Sequence, residues 1–468
     1  MDLHELSALE IEAGYRSGET SPTEVVEHQL ERITGEQVGA FVTVTADSAR
    51  AEAVTATRRW RAGDHLPRLY GVPTAVKDLT MTAGVRTTFG SAAMRDFVPD
   101  VSDVVAELLV AGGLISLGKT STPEFGAPCY TEPEGLPPAR TPWDLSRSAG
   151  GSSGGAAAAV AAGLVPVAHG SDGGGSIRIP ASVCGLVGFK PSRGRVSTGP
   201  TYGDIGGLAA HGPLATTVRD AAAFLDVIAG HHPGDPTWAA PLPTGQSYLD
   251  WCDREPGRLR IAAFCEPVVG TAAVEPEVLR AYEEAVAVLD GLGHSVEEVA
   301  VPLSADLVPV FEMVWSVGTT GIAVAPELEP VLRPLTRWLR ERGRATSAAD
   351  YHAALVAMRQ AASRALVRLH PYDAVLTPTL AQLPAPVGGL RDDDDPAADF
   401  EAQKNYTPFT SAWNVTGMPA VSLPTGWSDG GLPIGTMLAG RPGEDHLLLA
   451  LAAQVEGQGP PRPRRAGR

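Results

Sequence analysis

Two hydrophobic periods alternate along this chain, and the switches between them predict an α/β order of elements. Val25, Val26, Leu30 and Ile33 recur at helical spacing behind Ser21-Pro22-Thr23-Glu24, a capping-box sequence with proline at the first helical position. A short strand at Ala40–Val44 and a helix over Ala49–Trp60 follow. Strands are expected at Leu69–Val76, Leu114–Leu117, Leu259–Phe264 and Tyr372–Pro378, and Ser295–Val301 alternates as a strand does. Helices are expected at Asp103–Ala111, from Val218 onward, over Glu275–Leu292 and through most of 305–368, where arginines 333–344 mark polar faces. Residues 231–257, rich in proline and polar side chains, read as a surface excursion. No internal repeat is present.

The stretch 147–195 breaks both periods. It carries two glycine-flanked serine sites, Ser152/Ser153 and Ser176, separated by an alanine-rich segment, Ala156–Ala162, that reads as a short helix. Glycines beside a serine let the backbone turn tightly and approach a ligand closely. A flexible linker would not hold an Ala/Val helix between its serines or end in Ile177-Arg178-Ile179-Pro180. Two such serines suggest one site built from both. Upstream, the strand at Leu69–Val76 ends on Lys77. Lysines are seldom buried, and desolvation lowers an amine's pKa, so a lysine there is either a surface partner of Asp78 or a neutral base.

These motifs resemble the signature of the amidase signature family, serine hydrolases with a Ser–Ser–Lys triad. Gly150-Gly151-Ser152-Ser153-Gly154-Gly155, Gly170-Ser171-Asp172-Gly173-Gly174-Gly175-Ser176-Ile177-Arg178 and Gly71-Val72-Pro73-Thr74-Ala75-Val76-Lys77-Asp78 match its pattern in order, and 24 positions separate Ser152 from Ser176 as in the family. The resemblance implies Ser176 as nucleophile, Ser152 on a cis peptide bond as proton relay, and Lys77 as base. That division of labour is chemically sound: a serine hydroxyl needs a base, a second hydroxyl both donates and accepts, and Ser–Lys pairs are variants of triad logic. Backbone N–H groups of Gly173, Gly174, Gly175 and Ser176 are unobstructed and suit an oxyanion hole. The family usually has a larger residue where Gly173 stands, a departure that either widens the pocket floor or loosens the loop. By resemblance, Asp172 and Arg178 pair beneath the site, with Ser153 in the same network. Phe409–Pro424, including Asn414, and Gly431–Gly435 resemble the family's closing motifs. The implied fold is α/β: one amidase-signature domain over 1–456, a mixed twisted sheet with helices on both faces, and a basic, disordered tail over 457–468. Residues 305–400 are expected to cover the pocket.

Two other motifs are set aside on physical grounds. Gly113–Thr120 satisfies the phosphate-loop pattern GxxxxGK[ST], but a helix precedes it, its would-be loop is strand-forming, and Pro123 follows. It matches instead a Gly-Lys-Thr segment of the family that leads towards the pocket. Gly150–Gly154 satisfies GxSxG, but Thr141–Arg147 is not the strand that such an elbow needs, and no histidine stands in a defensible context for a Ser–His–Asp site. Cys184, among apolar residues, reads as core. The run Arg391–Pro396 reads as a solvated turn rather than a metal site.

Composition narrows the rest. A net charge of −17 argues against a nucleic-acid binder. The four cysteines are scattered without a CxxC pair, so no disulfide framework or zinc ribbon is expected, and neither is a metal or other cofactor. No apolar run reaches membrane-span length and the first residues lack signal-peptide character, so a cytoplasmic enzyme without membrane contact is expected. The expected activity is hydrolysis of a small-molecule amide, with esters and carbamates as side substrates; the apolar run Phe311–Ala325 suits an uncharged aliphatic or aryl amide. The form around Asp172–Ser182 also resembles hydrolases of linear and cyclic nylon oligomers. A glutamine-hydrolysing amidotransferase subunit with a partner protein is the alternative. Oligomeric state stays open, though family members often form homodimers.

Overall fold

In a computed structural model that describes residues 2–459, the six expected strands and five that the hydrophobic pattern did not mark assemble into two sheets. The first sheet holds β1 (Phe41–Val44), β2 (Pro73–Lys77) and β3 (Ile115–Thr120) in the order β1-β3-β2, with β2 parallel to β3. The second holds β4 (Val167–Asp172), β5 (Val187–Lys190), β6 (Ala210–Ala215), β7 (Arg260–Ala263), β8 (Ser295–Glu298), β9 (Ala374–Pro378), β10 (Ala420–Trp427) and β11 (Pro433–Gly440). Its order is β4-β6-β5-β10-β11-β9-β7-β8. It is mixed: β7 runs parallel to β8 and β9, and the other pairs are antiparallel.

Alternation along the central strands gives this sheet two apolar faces. Val421, Leu423 and Leu438 join a core with the helices Val218–Ile228 and Asp445–Glu456. Ala420, Met437 and Ala439 point the other way, into a core with the helices Ala348–Leu369 and Ala412–Thr416. The sheet is therefore covered on both faces, as expected of one α/β domain. Among the described residues no helix is long and apolar enough to cross a membrane.

The alanine-rich helix, Gly154–Ala161, is buried along its whole length. A side chain at Gly155 would place Cβ 2.3 Å from the Ser121 nitrogen and 2.6 Å from the Ala40 carbonyl oxygen. Glycine there lets the helix start directly against the backbone that flanks β1 and β3.

Several local expectations shift. The strand leading to Lys77 is shorter than its apolar run, because Leu69 and Gly71 adopt positive φ of 60° and 82° and the extended path begins only at Pro73. The capping box before Pro22–Thr34 is half made: the Ser21 hydroxyl accepts from the Glu24 N–H, but the Glu24 carboxylate accepts from that hydroxyl rather than from the Ser21 backbone. The acidic run 392–395 is a turn and cap. Asp392 accepts from the N–H groups of Asp394 and Asp395, Asp395 caps Pro396–Tyr406, and Asp393 pairs with Arg333 and Arg391. The tail expected to be disordered lies, from residue 460, outside the described residues.

Candidate active site

Lys77 closes β2 with its side chain fully buried. Its Nζ donates to Ser152 Oγ at 2.8 Å and to the Ser171 carbonyl at 3.0 Å. Burial lowers the amine's pKa to about 7, against the upward pull of Asp172. The surface pairing with Asp78 does not occur. Asp78 is buried, accepts from the N–H and hydroxyl of Thr88, and faces Lys119. The peptide bond Gly151–Ser152 is cis.

Ser176 follows β4 on the glycine loop 173–175 and is 7% exposed, open to a cleft. Beneath the loop, Arg178 grips Asp172 through two nitrogens, Nε to Oδ2 at 3.0 Å and Nη2 to Oδ1 at 2.9 Å, with both side chains fully buried. Burial opposes ionisation of Asp172, but Arg178 and Lys190 overcome it and hold the carboxyl well below the usual range. Asp172 in turn accepts from the N–H groups of Gly175 at 2.7 Å and Ile177 at 3.1 Å. The Gly175 N–H, one of the four expected oxyanion donors, is therefore committed to Asp172, which leaves Gly173, Gly174 and Ser176. Ser153 is not bonded to the Asp172–Arg178 pair; its hydroxyl exchanges hydrogen bonds with the backbone of Ser171.

Two members of this network were not foreseen in those roles. Asn414 Nδ2 donates to the carboxylate and carbonyl of Asp172, and its Oδ1 accepts from Arg178 at 2.7 Å. Thr410 donates from Oγ1 to the Gly174 carbonyl at 2.6 Å and accepts Arg178 Nη1 at its own carbonyl. Both lie in the segment 409–424, singled out in sequence only as a motif; the chain distance to Asp172 hid their partners.

The cleft spans about 850 Å³ including its mouth. Ile179, Val268, Leu303, Phe311, Phe400 and Val415 give it apolar walls, and its charged residues Glu312 and Lys404 pair with each other at 2.7 Å. The helix Leu307–Gly318 lies over the glycine loop, within the region expected to cover the pocket. A Cβ on Gly173 would lie 3.2 Å from Cζ3 of Trp315, whose ring stacks on Phe311 at 5.6 Å. The missing side chain at Gly173 thus does not widen the floor; the Trp315 indole occupies that space.

The rejected phosphate-loop motif runs through β3. Lys119 Nζ is buried and donates to the Thr80 carbonyl and to Thr87 Oγ1. Cys184 is fully buried, and burial pushes its thiol up to about 12, as suits a core residue.

Known proteins resemble the chain over most of its length. The family model described as Amidase matches residues 24–449. The chain is 36% identical over 469 residues to the 6-aminohexanoate-cyclic-dimer hydrolase of Paenarthrobacter ureafaciens, covering 94% of this chain and 92% of the relative. It is 34% identical over 476 residues to the acylamidase of Rhodococcus erythropolis, covering 97% and 96%. A solved structure of 6-aminohexanoate cyclic dimer hydrolase complexed with substrate matches with a TM-score of 0.91 at 32% identity, covering 100% of both chains.

Proposed function

The chain belongs to the amidase signature family and is an enzyme acting on amides, and from that premise we propose that it hydrolyses an uncharged carboxylic amide through an acyl-enzyme on Ser176. The observation that carries the reading is the 2.8 Å contact from the buried Lys77 amine to Ser152 Oγ, beside a serine that opens onto an apolar cleft. An amine with a pKa near 7 is neutral often enough to accept a proton. Ser176 Oγ attacks the carbonyl carbon as its proton passes to Ser152 Oγ and the Ser152 proton passes to Lys77 Nζ. The N–H groups of Gly173, Gly174 and Ser176 receive the developing oxyanion. The C–N bond breaks as a proton returns through Ser152 to the leaving nitrogen. Water then attacks the acyl carbon and gives a proton to the same relay; the C–O bond to Ser176 breaks as the relay returns that proton to Ser176 Oγ, and the carboxylic acid leaves.

The apolar walls favour aliphatic or aryl groups flanking the scissile bond. The similarity to hydrolases of a cyclic amide dimer and of acyl amides supports linear or cyclic oligoamides and N-acyl amines as the classes to try first. A glutamine substrate would have to place an ionised amino-acid head in a cleft whose charged residues, Glu312 and Lys404, are already paired with each other, which disfavours the amidotransferase alternative.

The test is labelling by a fluorophosphonate together with turnover of a panel of alkyl, aryl and oligomeric amides. Labelling should vanish in Ser176→Ala, and amide turnover should fall in both Ser176→Ala and Lys77→Ala. Labelling that persists without Ser176 would overturn the assignment.

A further inference from the structure

The base and the nucleophile loop sit on different sheets. β2 pairs with β3 and β4 pairs with β6, yet β2 and β4 lie side by side where the two sheets meet. Side chains make the joins across this seam. Thr74 Oγ1 donates to the Val167 carbonyl at 3.0 Å, Lys77 Nζ donates to the Ser171 carbonyl, and the Lys77 backbone N–H donates to His169 Nδ1 at 3.4 Å. His169 is fully buried, three residues ahead of Asp172 on the strand that feeds the glycine loop.

The partners of His169 define its proton. Because Nδ1 accepts from Lys77, the ring hydrogen belongs on Nε2, and Nε2 lies 3.0 Å from His211 Nδ1 on β6. His211 must then accept at Nδ1 and carry its own hydrogen on Nε2. The rings lie 5.2 Å apart at 28°. The groups acting on His169 are His211, Lys77 on β2 and Lys119 on β3, each a cation when protonated. Burial first, then these neighbours, keep His169 neutral, and burial and Lys77 lower His211 to about 4. A proton on His169 Nδ1 would set donor against donor at the Lys77 backbone.

We propose that His169, with its tautomer set by His211, is a positioning residue that fixes the main chain of Lys77 against the strand leading to Ser176. This rests on the reading of Lys77 as the base. The imidazole ties the last residue of β2 to the strand that leads into the loop. Loss of the acceptor lets β2 slide along the seam, separates Lys77 Nζ from Ser152, and admits water to the amine. Hydration returns the amine towards its ordinary pKa, so the base needs a higher pH to become neutral.

The experiment compares His169→Leu, His169→Asn and His211→Leu in the full-length protein, with kcat, KM, the pH–rate profile and thermal melting for one turned-over amide. His169→Asn keeps an acceptor near the Nδ1 position. His169→Leu is expected to lower kcat about 10- to 100-fold with KM nearly unchanged and to move the acid limb of the profile to higher pH. His169→Asn should recover most of kcat and restore the limb. His211→Leu, beyond the direct contact, should move the limb the same way by less, and it carries the test if His169→Leu does not fold. Equal loss in the Leu and Asn variants, or an unmoved limb in whichever Leu variants fold, overturns the proposal. Turnover retained by Lys77→Ala would overturn the base assignment itself; a dead Lys77→Ala beside unmoved His variants sinks only this inference.

Discussion

The Ser153 N–H donates to the Ser176 carbonyl at 3.1 Å, so the two glycine-flanked serine motifs are tied by their backbones. That bond divides the paired serines. Ser152 turns its hydroxyl to Lys77, and Ser153 turns its own to Ser171. Ser152→Ala should therefore lower kcat by about 10²- to 10⁴-fold, the usual worth of a proton-transfer group, with little change in melting. Ser153→Ala should do the reverse: lose about 1–3 kcal/mol through the contact deleted at the N–H of Ser171, whose carbonyl keeps Lys77 Nζ, and retain more of the rate. Steady-state kinetics and denaturant melts on both variants decide it; equal effects would remove the relay role from Ser152.

The pKa of Lys77 sets a pH limb. The base works only when neutral, so kcat/KM should rise with pH through about 7, where burial has placed the amine. Stability follows the same group with a definite sign. Between about 7 in the folded state and about 10.4 in the unfolded chain, the unfolded chain binds the extra proton, so this group's contribution to stability rises with pH across that window. Lys77→Met should abolish turnover, stabilise the protein at neutral pH, and flatten that part of the stability–pH curve. A variant less stable than the parent at pH 7 would contradict the buried-amine account.

The motifs were legible because each is local. Ser152, Ser153, Ser176 and Lys77 sit on short runs whose glycines and prolines dictate backbone shape whatever packs around them. The strand-forming residues inside the phosphate-loop pattern also act locally, and β3 runs through Lys119 as they require. The positive φ at Leu69 is local too, but an apolar run does not reveal such a conformation at a non-glycine residue. Longer-range features were hidden. The commitment of the Gly175 N–H to Asp172 depends on how the loop closes. The Asn414 side chain meets Asp172 across 242 positions of sequence, and the ring that fills the space over Gly173 comes from Trp315. No period or spacing within one segment encodes such pairings.

The Asp172–Arg178 pair is buried on both sides, so its energetic role is asymmetric. Removing one partner strands a charge, at about 3–5 kcal/mol. Arg178→Met should show that loss in chemical denaturation and should loosen the loop, since Asp172 holds the N–H groups of Gly175 and Ile177. Asn414→Ala, which deletes three donated contacts and one accepted from Arg178, should lower stability in the same direction. An Arg178→Met protein as stable as the parent would mean that Asp172 is neutral in the folded state.

Gly173 and Trp315 form a size pair that a double-mutant cycle can measure. A methyl at position 173 would sit 3.2 Å from Trp315 Cζ3 and 3.4 Å from Cη2, closer than ordinary contact, whereas one at 174 would have 3.6 Å to Phe311. Gly173→Ala must displace either the indole or the loop. A displaced loop misaims the N–H groups proposed for the oxyanion, and misplacement on that scale reduces kcat by about 10-fold or more. Trp315→Leu vacates the space, so the double variant should recover kcat relative to Gly173→Ala alone, with a coupling of about 0.5–3 kcal/mol. Gly174→Ala meets a more distant ring and should couple weakly to Trp315. If Gly173→Ala is harmless in the parent, the loop has room to spare, and the indole is a wall of the cleft that does not set the loop's position. If it is harmful and Trp315→Leu gives no recovery, the glycine is needed for its own backbone path and the ring is incidental. Recovery in the double variant is the outcome expected if the covering helix and the glycine loop set each other's position.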